Sequence, residues 1–319
     1  MQTEAVSQEN TPRLDPVIDV RDLVIEYRTD GGKKIRAVDG LNLSVRPGEV
    51  VGFIGPNGAG KSTTIKVLMG FRKQSAGTVR IFDLEPGDVR ARRKIGFLPE
   101  VALYYPFLTA RETLRMFAKL REIPKADRED MIDVLLRKVG LTGRDREPVR
   151  GFSKGMLQRV GIAQAIMGEP DLLILDEVTS GLDPVARYDV RRLLLDFKAK
   201  GKTVFFSSHE LSEVTMLCDR VILIDEGKVI EEDRLEDLVG NFTREVIRVA
   251  GVSIPDILPE GVYVHSVNDG HTSFTAETDA GRAALDAMVE SMDTTVVERR
   301  EEPGSLEDFF VAKIGHKVT

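Results

Sequence analysis

Cysteine is nearly absent from this sequence, long apolar runs are missing, and there is no excess of positive charge. Cys218 is the only cysteine among 319 residues. It has no internal partner, which excludes a disulfide framework and fits a reducing compartment. It is expected to pack as a small apolar residue rather than act as a nucleophile. No apolar stretch approaches the ~18 residues that a membrane span requires. The strongest runs, Leu172-Leu173-Ile174-Leu175 and Val221-Ile222-Leu223-Ile224, have the length of strands. The net charge of −7 argues against broad nucleic-acid binding, which needs a basic face, and gives no help to adhesion on anionic lipid. No repeat recurs at a solenoid period. Residues 1–16 are polar, carry Glu4 and Glu9 and lack an apolar core. They are expected to form a flexible tail, not a signal peptide.

What is present supports a substantial core. A hydrophobic fraction of 42% over 319 residues suits one large domain with a smaller one, or two of ordinary size. The most informative stretch runs Gly55, Pro56, Asn57, Gly58, Ala59, Gly60, Lys61, Ser62, Thr63. An apolar run, Val50 to Ile54, precedes it, and a helical pattern from Thr64 to Met69 follows. Strand, glycine-rich loop and helix in that order form a phosphate cradle. The glycines let backbone N–H groups close around an anion, and the helix adds its positive end. Lys61 brings a full charge to the terminal phosphates, and Ser62 a hydroxyl for Mg²⁺. A glycine-rich turn that happens to precede Lys-Ser is the bland alternative; the flanking strand and helix weigh against it.

Before this loop, residues 17–28 alternate as a strand and residues 35–45 read as a second strand pair, separated by a Gly31-Gly32-Lys33-Lys34 turn. Their short connections predict antiparallel pairing. After the loop come a strand at 77–82, a short helix at 88–93 and a strand at 94–98. From residue 101 to about 168 the pattern turns helical, with Thr109 and Glu112 at capping-box spacing. Strand–helix alternation resumes at Asp171. Its apolar strands predict a parallel sheet covered on both faces. Beyond Gly240-Asn241, short strands with one or two helices predict a small α+β module over 241–319.

Other residues extend the chemistry. The strand 172–175 ends in Asp176-Glu177, and parallel sheets bind ligands at their carboxyl ends. Asp176 suits a carboxylate that reaches the Mg²⁺ held by Ser62, and Glu177 one that orients water; an acidic strand end with no such role is the alternative. Asp183 reads as a helix N-cap. Ser207-Ser208-His209-Glu210 closes the next strand, and His209 is either a surface residue or a γ-phosphate contact. Ser153 and Gly155 open a helix. They form either a plain N-cap or a second anion site, since a bare glycine in a helix's first turn lets a phosphate approach.

In this order, the motifs resemble the nucleotide-binding subunit of an ATP-binding cassette (ABC) transporter. The resemblance covers residues 17–239. It rests on Gly55–Thr63, Glu100 after Gly-Phe-Leu-Pro, the Ser153–Gly155 signature, Asp176-Glu177, Gly181-Leu182-Asp183 and His209. It implies an α/β P-loop NTPase core with an antiparallel β subdomain and a helical insertion, spanning 17–240. It also implies roles. Tyr27 stacks on adenine, though a half-buried strand tyrosine is the alternative. Lys61, Ser62 and Thr63 bind phosphate and Mg²⁺. Glu177 is the catalytic base and His209 positions the γ-phosphate. Two copies join head to tail, so that Ser153 and Gly155 of one close over ATP on the other, with Asp183 communicating across the interface. A separate transmembrane permease is the partner, nucleic acid is not, and the chain sits on the inner face of the cell membrane through that permease.

Three departures stand out. Glu100 replaces the family's glutamine, although a carboxylate still binds Mg²⁺ or water. Lys154 and Met156 replace the signature's usual glycine and glutamine. Val178 replaces a proline. The first two are familiar in exporters of the drug, antibiotic and sodium type, and the ending Pro303 to Phe310 resembles that branch's extension. A soluble ABC ATPase of translation or DNA repair is the runner-up. Such proteins carry two cassettes or a long coiled-coil insertion, and this chain shows neither. A GTPase or small-molecule kinase would share the loop, but the Asn-Lys-x-Asp guanine motif is missing and the signature would be unexplained.

Overall fold

Each strand's alternation of side chains decides which layer it joins. The computed structural model describes residues 15–314 apart from 29–31, 242, 252–253, 256, 269, 277–278 and 293. Most of the expected tail, residues 1–14, and Gly31 of the expected turn lie outside the described residues. The first part runs β1 (Ile18–Arg28), β2 (Lys34–Val45), β3 (Val50–Ile54), α1 (Lys61–Leu68), β4 (Ala76–Ile81), α2 (Val89–Lys94) and β5 (Ile95–Leu98). The helical insertion brings α3 (Ala110–Leu120) and α4 (Arg128–Lys138), and leads into α5 (Lys154–Ala165). Alternation resumes with β6 (Leu172–Asp176), α6 (Pro184–Ala199), β7 (Thr203–Ser208), α7 (Leu211–Leu217), β8 (Arg220–Asp225), β9 (Lys228–Arg234) and α8 (Leu235–Asn241). The remainder is β10 (Thr243–Ala250), β11 (Val262–Asn268), β12 (His271–Ala276), α9 (Asp279–Ser291), β13 (Val296–Pro303) and α10 (Leu306–Ile314).

The central sheet has the order β5-β6-β7-β3-β8-β9 and is parallel except for β9. All five residues of β3 are buried. Val50 and Ile54 join the core that holds α5, α6 and α7, while Val51 and Phe53 join the core beneath β1, β2 and α1. A strand enclosed on both faces reads as a continuous apolar run, which is why alternation was invisible there. Cys218 is buried, as expected, and its thiol pKa is pushed well up by that burial. Its sulfur packs against β3 so tightly that a Cβ at Gly52 would lie 2.7 Å from it.

The smaller antiparallel sheet has the order β2-β1-β4. Residues 35–45, read from sequence as a strand pair, form one continuous strand. Shifts in the β1–β2 register around Leu41 absorb Asp39-Gly40 as a bulge, so no turn is needed. In the insertion, Thr109 and Glu112 form the expected capping box. Arg111 ties α3 to α4 through Asp133 (2.6 Å) and to the following loop through Asp145 (2.8 Å).

The last sheet, β11-β12-β10-β13, is antiparallel and has its own core of Ile247, Phe274, Leu285 and Met288. Helix α10 does not join that core. Its Leu306, Phe309 and Ile314 are buried with Val214 and Leu217 of α7 and Leu238 of α8, and Lys313 reaches Glu231 on β9 at 2.8 Å. The chain's end therefore returns to the central α/β unit. Leu306→Ala should cost about 2–5 kcal/mol of stability, read as a lower urea midpoint of the whole chain; an unchanged midpoint would show that α10 is dispensable to that unit.

Candidate active site

Four segments far apart in sequence meet at the carboxyl end of the central sheet. The loop after β3, the turn after β5, the end of β6 and the end of β7 enclose a cleft of about 410 Å³. Its walls are Ala37, Asn57 to Thr63, Glu100, Glu177, Ser180 and His209. Strand order explains the convergence, because β7 lies between β3 and β6 and brings His209 beside both.

The loop is held close to the sheet. A Cβ at Gly55 would lie 2.1 Å from the Ile224 carbonyl oxygen, so only glycine allows that approach. Lys61 is buried, with 6% exposure, and its Nζ donates to the carbonyls of Gly55 (2.7 Å) and Pro56 (3.1 Å). It also lies 3.5 Å from Glu177 Oε1. The other carboxylate oxygen of Glu177 is 2.6 Å from His209 Nδ1. Thus the candidate base, the candidate phosphate-binding lysine and the candidate γ-phosphate contact form one connected group.

Glu177 is also held by its backbone. Its φ is +51°, left-handed for a residue with a side chain. Its N–H donates to both the hydroxyl (3.1 Å) and the carbonyl (3.2 Å) of Ser207. These bonds support a conformation that is otherwise disfavoured. The same Ser207 hydroxyl donates to Asp176 Oδ1 at 2.7 Å.

Ser62 Oγ donates to that oxygen as well, at 3.1 Å. Ser62 and Asp176, with Glu100 on the cleft wall, are hard oxygen donors. Among the described residues no three His, Cys, Asp or Glu side chains form a metal cluster. A set this sparse fits Mg²⁺, which keeps waters and phosphate oxygens in most of its positions. Glu100 is exposed and its carboxylate has no partner among the described residues.

Tyr27 does not line the cleft, but its hydroxyl is 3.3 Å from Thr63 Oγ1. One face of its ring is covered by Arg72, whose guanidinium carbon lies 3.7 Å from the ring centroid. Ser153, Gly155 and Asp183 also stand outside the cleft walls. Ser153 caps α5 by accepting from the Met156 N–H (3.3 Å), and Asp183 caps α6 by accepting from the Ala186 N–H (2.8 Å). Ser153 and Lys154 are exposed. A Cβ at Gly155 would fit in ordinary contact with Ala186 (3.7 Å) and Leu182 (3.8 Å), so packing within the chain does not demand glycine there.

Sequence reasoning gave Ser207 no role, although a hydroxyl two positions before His209 was its visible signal. It also passed over Gln158, which is buried and donates to the Val178 carbonyl at 2.8 Å, tying α5 to the segment after Glu177.

Comparison with known proteins agrees with this architecture. The family model described as ABC transporter matches residues 38–180. An uncharacterized ABC transporter ATP-binding protein of Synechocystis sp. is 33% identical over 98% of this chain and 88% of its own. The bacitracin transport ATP-binding protein of Bacillus licheniformis is 43% identical over 69% of this chain and 70% of its own. The Nod factor export ATP-binding protein I of Ralstonia nicotianae is 31% identical over 88% and 90%. Among solved structures, a dimeric ATP-binding cassette in a post-hydrolysis state with ADP and Pi superposes with a TM-score of 0.63 at 26% identity, covering 68% of this chain and 98% of that one. Taken with the cleft, these likenesses show that the chain belongs to the ABC transporter ATP-binding proteins and is an ATPase of the P-loop fold.

Proposed function

We propose that this chain binds Mg-ATP in the Lys61 cleft, closes over it as a head-to-tail dimer, and hydrolyses it to drive a separately encoded transmembrane permease in the direction of export. The observation that carries the reading is the connected group Lys61–Glu177–His209 beside Ser62–Asp176. Phosphate oxygens entering the loop would take the Lys61 ammonium from the Gly55 and Pro56 carbonyls and from Glu177. The freed Glu177 carboxylate then orients the attacking water, and His209 holds the γ-phosphate side of the cleft. Ser62 and Asp176 would hold Mg²⁺, which supplies neutralisation of phosphate charge. Tyr27, braced by Arg72, is the adenine platform.

The helix start at Ser153 and Gly155 supports the dimer reading, because it stands outside its own cleft and its Ser153 and Lys154 are exposed, so the positive end of α5 can face a second copy. The related cassette solved as a dimer points the same way. Among the described residues no helix is long and apolar enough to cross a membrane. Coupling to a permease therefore needs a docking surface. Val101, Leu103, Tyr105 and Phe107 are 57–88% exposed, immediately after Glu100. An apolar cluster so close to the cleft suits a permease segment. The bacitracin and Nod factor relatives support transport, and the second of them export. On this reading the cassette occupies residues 17–240, residues 241–319 form an accessory module whose helix α10 packs back on the cassette, and the protein works at the inner face of the membrane through its permease.

Glu177→Gln should lower ATP turnover by roughly 10²–10⁴ and trap an ATP-bound dimer visible by size-exclusion chromatography; wild-type turnover would place the base elsewhere. Lys61→Ala should remove tight ATP binding measured by calorimetry, and unchanged affinity would contradict the loop assignment. Ser207→Ala removes the hydroxyl bond to Asp176 and one of the two bonds that hold the Glu177 N–H, leaving the one to the Ser207 carbonyl. It should lower kcat by about tenfold or more, with a smaller change in KM, as a positioning group does; equal losses from binding alone would argue against it.

A further inference from the structure

The carboxy-terminal sheet has two unlike faces. Ile247, Phe274 and Ala276 lie under α9. Arg248, Ser273 and Thr275 alternate with them and point the other way. In register, Arg248 on the inner strand β10 stands opposite Ser273 of β12 on one side and Glu298 of β13 on the other. Around them this face opens into a bowl of about 280 Å³.

The polar groups of the bowl are not balanced. It holds two guanidiniums, Arg248 and Arg300, against one carboxylate, Glu298. Arg300 donates to Glu298 at 3.1 Å and to Glu302 at 2.7 Å, and Glu302, outside the bowl, is shared with Arg244, so the charge of Arg300 is met without Arg248. Arg248 is half-buried and makes no side-chain hydrogen bond or ion pair among the described residues. Ser273 is 8% exposed, lines the bowl, and its hydroxyl also has no partner among the described residues. Two residues further on, Thr275 Oγ1 is buried without a partner among the described residues. Thr275 does not line the bowl, so Ser273 is the buried residue there whose hydroxyl a ligand can reach, and beside a guanidinium with no partner among the described residues it suits an anion.

We propose that this bowl binds a small organic anion through a single carboxylate or phosphate group. Arg248 supplies the counter-charge in a fork that matches either group, and Ser273 the buried donor. The bowl's volume falls at the low end for small-molecule sites, which suits a compact metabolite. The site lies on a different sheet from the ATP cleft and stands independently of the function proposed above.

Titration of the full-length ¹⁵N-labelled chain with inorganic phosphate and, separately, acetate tests it. The readout is the backbone amides of Arg248 and Ser273, so phosphate entering the Lys61 loop registers elsewhere in the spectrum. At least one probe should give a saturable shift, with a Kd on the order of 1 mM or tighter. A response to phosphate alone assigns a phosphoryl ligand, and one to acetate alone a carboxylate. Arg248→Gln should weaken binding by roughly tenfold or more while phosphate shifts in the Lys61 loop stay as they were. Ser273→Ala should weaken it at an unchanged melting temperature, and decides the matter if Arg248→Gln does not fold. No saturable shift with either probe, or wild-type binding by the Ser273→Ala variant, would overturn the proposal.

Discussion

Lys61 is a cation enclosed almost wholly by protein, and the site is built to answer its charge. Two carbonyls of its own loop and the Glu177 carboxylate surround it. A buried ion cannot be left alone. Removing one partner of such a pair typically costs about 3–5 kcal/mol. Any arriving ligand must therefore replace the partners it displaces, and a phosphate does so with charge to spare. On the proposed function, the lysine that recruits the anion would thereby release the carboxylate needed for the next step. Binding and activation would then be one exchange of partners, consistent with Glu177 lying close to both Lys61 and His209.

That exchange needs a rigid frame, which the central sheet supplies. Asp176 and Glu177 take their positions from β6, but Ser207 on the neighbouring β7 fixes them. One hydroxyl donates to the Asp176 side chain and accepts from the Glu177 backbone. Glu177 is thereby kept in its left-handed conformation. Beyond it, the Val178 carbonyl is held by Gln158 of α5, the helix whose exposed start carries Ser153 and Gly155. A contact made at that helix end thus has a short physical connection to the residue after the candidate base. The carboxy-terminal helix buttresses the same framework, since Leu306 and Phe309 pack with α7, which begins two residues after His209.

Much of this was legible beforehand for local reasons. The loop from Gly55 to Thr63 states its function in consecutive residues, because a phosphate cradle is made of backbone and needs glycines at set intervals. The Thr109–Glu112 cap and the Ser153 and Asp183 caps were readable because N-caps act within one helical turn. The β2 bulge was not readable. Asp39-Gly40 has the composition of a turn, and only pairing with β1 made it a bulge. Nor could sequence place Arg72 against Tyr27, which lie 45 positions apart, or give Ser207 its two partners.

By itself the sequence determined which chemistry is available: a phosphate loop, paired carboxylates after an apolar strand, a histidine after another, and no membrane-spanning run. These are properties of short segments, governed by backbone geometry and side-chain type. The tertiary structure decided which groups meet. Inserting β7 between β3 and β6 makes Lys61, Glu177 and His209 neighbours, and puts Ser62 and Ser207 on one oxygen of Asp176. It also left Ser153 and Gly155 outside their own cleft, and turned α10 back onto α7. Strand order and register are set by burial of whole faces, a cooperative property that no single segment carries.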